Sequence, residues 1–409
     1  MQFGLLGRSL AHSLSPQIHR CFGDYPYALF PREPEELPAF FADDTISGFN
    51  VTIPYKIDAF RACDALSETA RAVGAVNTVI RRPDGTLFGD NTDAFGFRCL
   101  AKRVGVSFAG KKVLVLGSGG ASRTVQAVLH ADGAAQVIVV SRTGEENYQN
   151  LGRHRDAQIL VNATPVGMFP ANGLSPVSLD GFDRPEAVLD LIYNPMETAL
   201  LRQARERGIP HGNGLAMLVA QALPAARLFS GRQLSDDLIE PVIRKIEAQQ
   251  QNIVLIGMPG CGKSTVGRLL AERTGKALLD TDAMVEAAAG CTIPALFAAK
   301  GEAFFRDREA QAVLEAGKQL RRVIATGGGS ILKKESRDAL RQNGVAVWLR
   351  RDVSALPRDG RPLSKDEAAV RRLMKERQPI YESFADHVVD VSDDPQITTE
   401  RVIACVCSY

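Results

Sequence analysis

The chain has 409 residues, 45% of them hydrophobic and 23% charged, with a formal net charge of +2. That length predicts two or three domains with full-sized cores, and the near-neutral balance excludes a strongly basic nucleic-acid binder or an acidic tail. No apolar run reaches the roughly 18 residues of a membrane span, and the opening Met1-Gln-Phe-Gly-Leu-Leu-Gly-Arg lacks a signal-peptide pattern, so a cytoplasmic protein with neither membrane nor nucleic-acid partner is expected.

The first hundred residues alternate short apolar runs with helical patterns, broken by prolines and polar loops, as a separate α/β substrate domain would. His12-Ser13-Leu-Ser15-Pro places two hydroxyls at alternate positions of a loop. Asn50-Val-Thr52-Ile-Pro-Tyr-Lys56 ends a strand with a lysine. Gly74-Ala-Val-Asn77-Thr follows, then Gly89-Asp-Asn91-Thr-Asp93-Ala. Each residue also has an ordinary reading: Lys56 as a solvated surface lysine, Asn77 as a turn residue, Asp93 as the cap of a helix starting near Ala94.

Val113-Leu-Val-Leu-Gly, Val137-Ile-Val-Val, Gln158-Ile-Leu-Val-Asn and Ala187-Val-Leu-Asp-Leu-Ile read as strands with no polar face, and a helix-length segment from Arg123 to Asp132 separates the first two. That rhythm predicts a parallel sheet with right-handed crossovers. Gly117-Ser118-Gly119-Gly120-Ala121-Ser122-Arg123 turns from the first strand into the helix, where backbone N–H groups and the helix dipole suit a dinucleotide pyrophosphate. After the next strand, Ser141-Arg142-Thr143 offers no acidic residue for a ribose 2′-hydroxyl. A guanidinium between hydroxyls suits a 2′-phosphate instead, which favours NADP over NAD.

With Asn162-Ala-Thr-Pro-Val-Gly-Met168, Asp190-Leu191-Ile-Tyr193-Asn-Pro and Gly214-Leu-Ala-Met-Leu-Val-Ala-Gln221, these segments resemble shikimate dehydrogenase from residue 1 to about residue 245. The resemblance implies reduction of 3-dehydroshikimate to shikimate with NADPH, Lys56 and Asp93 being the catalytic pair. It implies that Ser13, Ser15, Thr52, Asn77, Tyr193 and Gln221 contact the substrate's carboxylate and hydroxyls. Glu68, Leu191 and Gly214 would line the nicotinamide side. Gly117, Ser118, Gly119, Gly120 and Ala121, with Ser141, Arg142 and Thr143, would hold the dinucleotide, Ser141 standing where the family carries asparagine.

Further on, an amphipathic helix from Asp236 to Glu247 runs into Gln249-Gln250-Gln251-Asn252, a hinge or helix extension rather than a long flexible tether. Ile253-Val-Leu-Ile-Gly then starts a second nucleotide-binding unit. Gly257-Met-Pro-Gly260-Cys261-Gly262-Lys263-Ser264-Thr265 fits the phosphate-loop pattern, with an apolar strand before it and a helical pattern from Val266 to Thr274 after it. Its N–H groups would cradle ATP, Lys263 would reach the β- and γ-phosphates, and the Ser264 hydroxyl would ligate Mg²⁺. Leu278-Leu-Asp280-Thr-Asp282 reads as the next strand delivering two carboxylates on one side. One can hold a magnesium-bound water and the other can orient a substrate hydroxyl; Asp282 can alternatively cap the following helix.

Gly301-Glu-Ala-Phe-Phe-Arg306-Asp-Arg-Glu309 sets an arginine and a glutamate three apart on a helical face. Thr326-Gly327-Gly328-Gly329 follows the strand Arg322-Val-Ile-Ala, Arg358-Asp-Gly-Arg361-Pro-Leu is a basic loop, and Arg377-Gln-Pro-Ile-Tyr381 places an arginine just before a turn. In this order they resemble shikimate kinase from residue 253 to about residue 391. The resemblance implies that Asp282 binds the substrate diol, that Arg306 and Arg377 grip its carboxylate with Glu309 orienting Arg306, and that Gly328 lets backbone approach the ring. Arg361 would touch the ATP phosphates from a lid, and Asp280 would join Ser264 at the metal.

The expected architecture is α/β: a substrate domain over 1–94 completed by helices at about 216–247, a Rossmann-like NADP domain over 95–215, a linker at 248–252 and a phosphate-loop kinase over 253–409. Shikimate, product of the first half, would be substrate of the second. The competing readings keep the kinase but make the front half an NAD-dependent quinate or shikimate dehydrogenase, or a non-catalytic sensor of a pathway metabolite. Arg142 weighs against the first and the retained Lys56 and Asp93 against the second.

Overall fold

The computed structural model describes residues 2–11, 13–356 and 367–406. The chain divides into two compact units, one of 1–193 and 198–246, the other of 194–197 and 247–409. Among the described residues no single helix is long and apolar enough to cross a membrane.

The first unit holds two sheets. In one, β1 (Gln2–Gly7), β2 (Tyr27–Pro31), β3 (Ile46–Val51), β4 (Ala65–Leu66), β5 (Thr78–Arg81) and β6 (Leu87–Asp90) lie in the order β2-β1-β3-β5-β6-β4. Its pairs are parallel except those of β5, which runs antiparallel to β3 and β6. Leu6, Phe30, Phe49, Val51 and Val79 share one core cluster. Phe3 belongs to another, with Ala225 and Phe229 of the helix Ala222–Ser230. The chain thus returns from far along its length to complete this layer.

The second sheet contains β7 (Lys112–Leu116), β8 (Gln136–Val140), β9 (Ile159–Asn162), β10 (Ala187–Asp190) and β11 (His211–Gly212) in the order β11-β10-β9-β7-β8, all parallel. Winding reverses between β7 and β9, the place where an open α/β sheet takes its ligand. β9 and β10 are buried along their whole length, as strands covered on both faces must be. The helix Asp93–Val104 packs on Leu215–Ala220. At Gly96 the approach is so close that a Cβ would lie 2.5 Å from the Met217 carbonyl oxygen.

In the second unit β12 (Asn252–Ile256), β13 (Ala277–Asp280), β14 (Arg322–Ala325), β15 (Gly344–Arg350) and β16 (His387–Asp390) form a parallel sheet ordered β13-β14-β12-β15-β16. The polar stretch before β12 extends the helix Ile239–Gln250. Lys276 Nζ donates to the carbonyls of Ala248, Gln249 and Gln251 at 2.9, 3.0 and 2.8 Å, satisfying acceptors that a helix C-terminus leaves open.

Two local expectations are corrected. β13 ends at Asp280, and Asp282 lies in the first turn of the helix Thr281–Ala289. The cap is Asp280, whose Oδ1 accepts from the Asp282 and Ala283 N–H groups at 3.0 and 3.3 Å. Arg377 sits inside the helix Glu367–Phe384, which continues through Pro379. The hydrogen bond that a proline forfeits is outweighed by packing, since Tyr381 and Phe384 beyond it belong to the core.

Candidate active sites

Lys56 opens the helix Lys56–Ala62 beyond β3, and Asp93 opens the helix Asp93–Val104 beyond β6. Lys56 Nζ donates to Asp93 Oδ2 at 2.5 Å, with side chains 23% and 14% exposed. A cation at a helix N-terminus opposes the dipole, so the carboxylate holds the ammonium where local preference would not. Neither ordinary reading applies, because Lys56 is paired and Thr92 occupies the cap position.

Thr92, adjacent to that pair, joins Asn77 and Gln221. Asn77 Nδ2 donates to Thr92 Oγ1 at 3.1 Å and to Gln221 Oε1 at 3.4 Å, while Thr92 N donates to Asn77 Oδ1 at 2.7 Å. All three residues are buried. Ser15 N donates to Ser13 Oγ at 3.2 Å; His12 lies outside the described residues. The side chains of Thr52 and Tyr193 make no hydrogen bond among the described residues, and burial pushes the Tyr193 phenol up. Thr92 was absent from the sequence-based set, although it sits inside a quoted segment and its hydroxyl was a signal.

At the end of β7, Gly117 has φ +103° and packs against Thr164 and Ala163. A Cβ at Gly119 or Gly120 would meet nothing within 4 Å, so these glycines front open space at the N-terminus of the helix Gly120–Ala131. The helix Glu68–Val73 packs on that helix and carries Glu68 exposed at its first position. Beyond β8, Arg142 and Thr143 are exposed and Ser141 half-buried.

Leu191 and Gly214 are brought together, since a Cβ on Gly214 would stand 2.0 Å from the Leu191 carbonyl oxygen. Asp190 anchors this turn by accepting from Thr198 Oγ1 at 2.7 Å, Ile192 N at 3.0 Å and Asn162 Nδ2 at 3.0 Å. Burial nevertheless pushes its carboxyl up to about 6.

In the second unit the loop after β12 enters the helix Lys263–Thr274 through Gly257, Gly260 and Gly262, all at positive φ, a conformation that only glycine adopts without strain. Lys263 Nζ donates to the Gly257 and Met258 carbonyls at 2.9 Å each. Ser264 Oγ donates to Asp280 Oδ2 at 2.6 Å. A cavity of about 540 Å³ is lined by Gly260, Gly262, Lys263, Ser264 and Thr265 together with Asp282, Arg306, Glu309, Gly328 and Arg377. Cys261 does not join them; its thiol is buried in the core and its N–H donates to the Met258 carbonyl. Arg358 and Arg361 lie outside the described residues.

The glycine run after β14 is shaped by its neighbours. A Cβ would come within 2.6 Å of Asp282 Oδ1 at Gly327, 2.6 Å of Pro259 at Gly328 and 2.4 Å of Arg306 at Gly329. Arg306 Nη1 donates to Glu309 Oε2 at 2.6 Å, and Glu309 Oε1 accepts from Ser330 Oγ at 2.9 Å. Tyr381 OH donates to the Gly328 carbonyl at 2.6 Å. Arg377 is 4% exposed, and no described carboxylate pairs with it. Ser330 and Tyr381 were not in the sequence-based set, since nothing in their spacing ties them to Glu309 or Gly328. Burial pushes the Asp282 carboxyl up to about 6, helped by the charges of Asp280 and Glu309 and opposed by Lys263.

Two family models match the chain: the shikimate dehydrogenase substrate binding domain over residues 5–79 and shikimate kinase over residues 259–406. The NADP(+) shikimate dehydrogenase of Caldanaerobacter subterraneus subsp. tengcongensis is 36% identical over 269 residues, covering 59% of this chain and 96% of the relative. Among solved structures, Thermus thermophilus shikimate 5-dehydrogenase in complex with NADP(H) and shikimate matches with TM-score 0.55 and 34% identity, over 60% of this chain and 99% of that one. A chorismate mutase/shikimate 5-dehydrogenase fusion from Clostridium acetobutylicum matches with TM-score 0.57 and 34% identity, over 60% and 97%. The chain therefore belongs to the shikimate dehydrogenase family and carries a shikimate kinase domain behind the dehydrogenase portion.

Proposed function

We propose that this protein reduces 3-dehydroshikimate to shikimate with NADPH and then phosphorylates shikimate with ATP to shikimate 3-phosphate. The observation that carries the reading is one catalytic constellation in each unit. The first has an ammonium–carboxylate pair at 2.5 Å beside a buried amide cluster. The second has a phosphate loop, a raised carboxylate and two arginines lining one cavity. With that reading we assign a substrate domain to 1–94 with helices at about 216–247, an NADP domain to 95–215, a linker to 248–252 and a kinase to 253–409.

In the first unit NADPH supplies the hydride when bound. Lys56 then protonates the oxygen that becomes the alkoxide, and its charge stabilises that oxygen as it forms. Asp93 keeps the ammonium in place. Ser13, Ser15, Thr52, Asn77, Tyr193 and Gln221 hold the acid's carboxylate and hydroxyls. Gly117, Ser118, Gly119, Gly120 and Ala121 take the pyrophosphate on a helix N-terminus with open space before it. Ser141, Arg142 and Thr143 take the 2′-phosphate, with Glu68, Leu191 and Gly214 at the nicotinamide. A methyl on Gly214 would clash with the Leu191 carbonyl. Gly214→Ala should therefore lower the thermal midpoint, at a cost of about 1–3 kcal/mol, and raise KM for NADPH while kinase activity stays unchanged.

In the second unit ATP supplies the phosphoryl group. Gly257, Gly260, Gly262 and Thr265 shape its cradle, Lys263 steadies the transferring phosphate, Arg361 contacts it from the lid, and Arg306 and Arg377 fork onto the acid's carboxylate. Asp282 accepts the proton of the attacking hydroxyl, and Gly328 lets backbone approach the ring. Mg²⁺ would be held by Ser264 and, through water, by Asp280, whose side chains already meet at 2.6 Å, and would neutralise phosphate charge.

A one-tube assay tests the whole reading. With the ketone, NADPH, ATP and Mg²⁺, NADPH absorbance should fall and the phosphorylated acid should accumulate only when both nucleotides are present. A chain that phosphorylates the alcohol yet leaves NADPH untouched with the ketone would be a sensor fused to a kinase.

A further inference from the structure

Buried polar side chains continue beyond Asn77, Thr92 and Gln221 across the first sheet. Asn50 faces Thr78 in the antiparallel register of β3 and β5, and Asn50 Nδ2 donates to Thr78 Oγ1 at 3.0 Å. Thr78 Oγ1 lies 3.1 Å from Asn77 Oδ1 and 3.2 Å from Thr92 Oγ1. On the other side the Tyr27 hydroxyl donates to Asn50 Oδ1 at 2.7 Å. Asn50 and Thr78 are 4% and 1% exposed, so these groups are cut off from bulk solvent and bond to one another.

Two main-chain groups fix the direction of the bonds. The Thr92 N–H requires an oxygen, so Asn77 turns Oδ1 toward it and Nδ2 toward Thr92 Oγ1 and Gln221. The Asn77 carbonyl already accepts from the Val51 N–H at 2.7 Å, and a second amide facing that oxygen must present its N–H rather than its oxygen, so Asn50 Nδ2 lies toward it at 3.4 Å, which leaves Asn50 Oδ1 for the Tyr27 hydroxyl. Donation therefore runs one way, from Tyr27 through Asn50 and Thr78 to Asn77 and Gln221. Gln221 ends the chain as an acceptor through Oε1. Its Nε2 gives one proton to the Leu218 carbonyl at 3.0 Å and keeps the other for a ligand.

We propose that Tyr27, Asn50 and Thr78 are positioning residues of the ketone site, locking the amides of Asn77 and Gln221 so that Gln221 meets a hydroxylated cyclic acid with an N–H donor. The inference rests on the dehydrogenase reading given above. Thr78 is the member whose side chain can be changed without touching the substrate-facing amides, and its hydroxyl lies against Asn50, Asn77 and Thr92. Buried networks of this kind act as a unit, so loosening one member is felt at the others.

The test compares Thr78→Val, which keeps the shape and removes the hydroxyl, with Thr78→Ser and the remote Tyr27→Phe. Steady-state kinetics with 3-dehydroshikimate and NADPH should show KM for the ketone raised about three- to tenfold in Thr78→Val, the loss of one hydrogen bond's worth of binding. The change should be smaller in the same direction in Tyr27→Phe and near the parent value in Thr78→Ser. KM for NADPH and shikimate phosphorylation should not move. An unchanged ketone KM in Thr78→Val, or in Tyr27→Phe should the valine variant not fold, overturns the proposal. So does a parallel rise in KM for NADPH, which marks general loosening. A parent enzyme that leaves NADPH unconsumed overturns the dehydrogenase reading itself, and this inference with it.

Discussion

Replacing Lys56 with alanine should lower dehydrogenase turnover by about two orders of magnitude or more while phosphorylation of shikimate proceeds at the parent rate. The ketone oxygen gains a full negative charge as hydride arrives, and water in a closed site is a poor substitute for a held ammonium. The 2.5 Å contact with Asp93 keeps Nζ in one place before substrate binds, so its orientation costs nothing during reaction. Lys56→Arg separates charge from proton: it retains the cation, but a guanidinium gives up its proton far less readily. If charge alone were needed, the arginine variant would keep most of the activity; if the proton matters, it should fall with the alanine variant. Truncation also leaves Asp93, 14% exposed, without its cation. That penalty is about 1–3 kcal/mol, so rates must be compared below the lowered melting transition. Near-parent reduction of the ketone by Lys56→Ala would remove this lysine from the mechanism.

These sites are legible in the sequence where their parts are local in the chain. The phosphate loop is one run of residues whose geometry follows from glycine and a helix start, and Gly257, Gly260 and Gly262 do stand at positive φ. Arg306 and Glu309, three apart, meet as helical spacing requires. Where partners are remote, spacing carried nothing. Ser330 reaches Glu309, Tyr381 reaches Gly328, and Tyr27 reaches Asn50 only because sheet order and register bring them together. The reversal of β5, which sets Asn50 opposite Thr78, leaves no mark in strands whose buried residues look alike in either direction. Alternation suits both Asp280 and Asp282 on one strand. Once Asp280 caps the next helix, the strand must stop there. Arg377 reads as standing just before a turn, whereas core contacts beyond Pro379 keep that segment helical.

Asp282→Asn should reduce shikimate phosphorylation by about 10²–10⁴-fold and abolish the acid limb of its pH profile, with ketone reduction untouched. Burial, then the charges of Asp280 and Glu309, push this carboxyl up to about 6 against the pull of Lys263. Below that pH the carboxyl carries a proton and cannot take one from the attacking hydroxyl; above it the carboxylate is available. Turnover of the parent should therefore fall on the acid side, with a midpoint below the ligand-free value of about 6 because Mg²⁺ at Asp280 offsets one of the charges that raise it, and the asparagine variant, with nothing to titrate there, should be slow and flat across the same window. Glu309→Gln provides a second lever. Removing a negative charge that raises Asp282 should shift the limb to lower pH, while the loosened Arg306, now lacking its 2.6 Å partner, should raise KM for shikimate. The two effects are separable because one moves a pH midpoint and the other a concentration midpoint. A limb that persists unchanged in Asp282→Asn would assign the titration to another group and leave Asp282 with substrate binding alone.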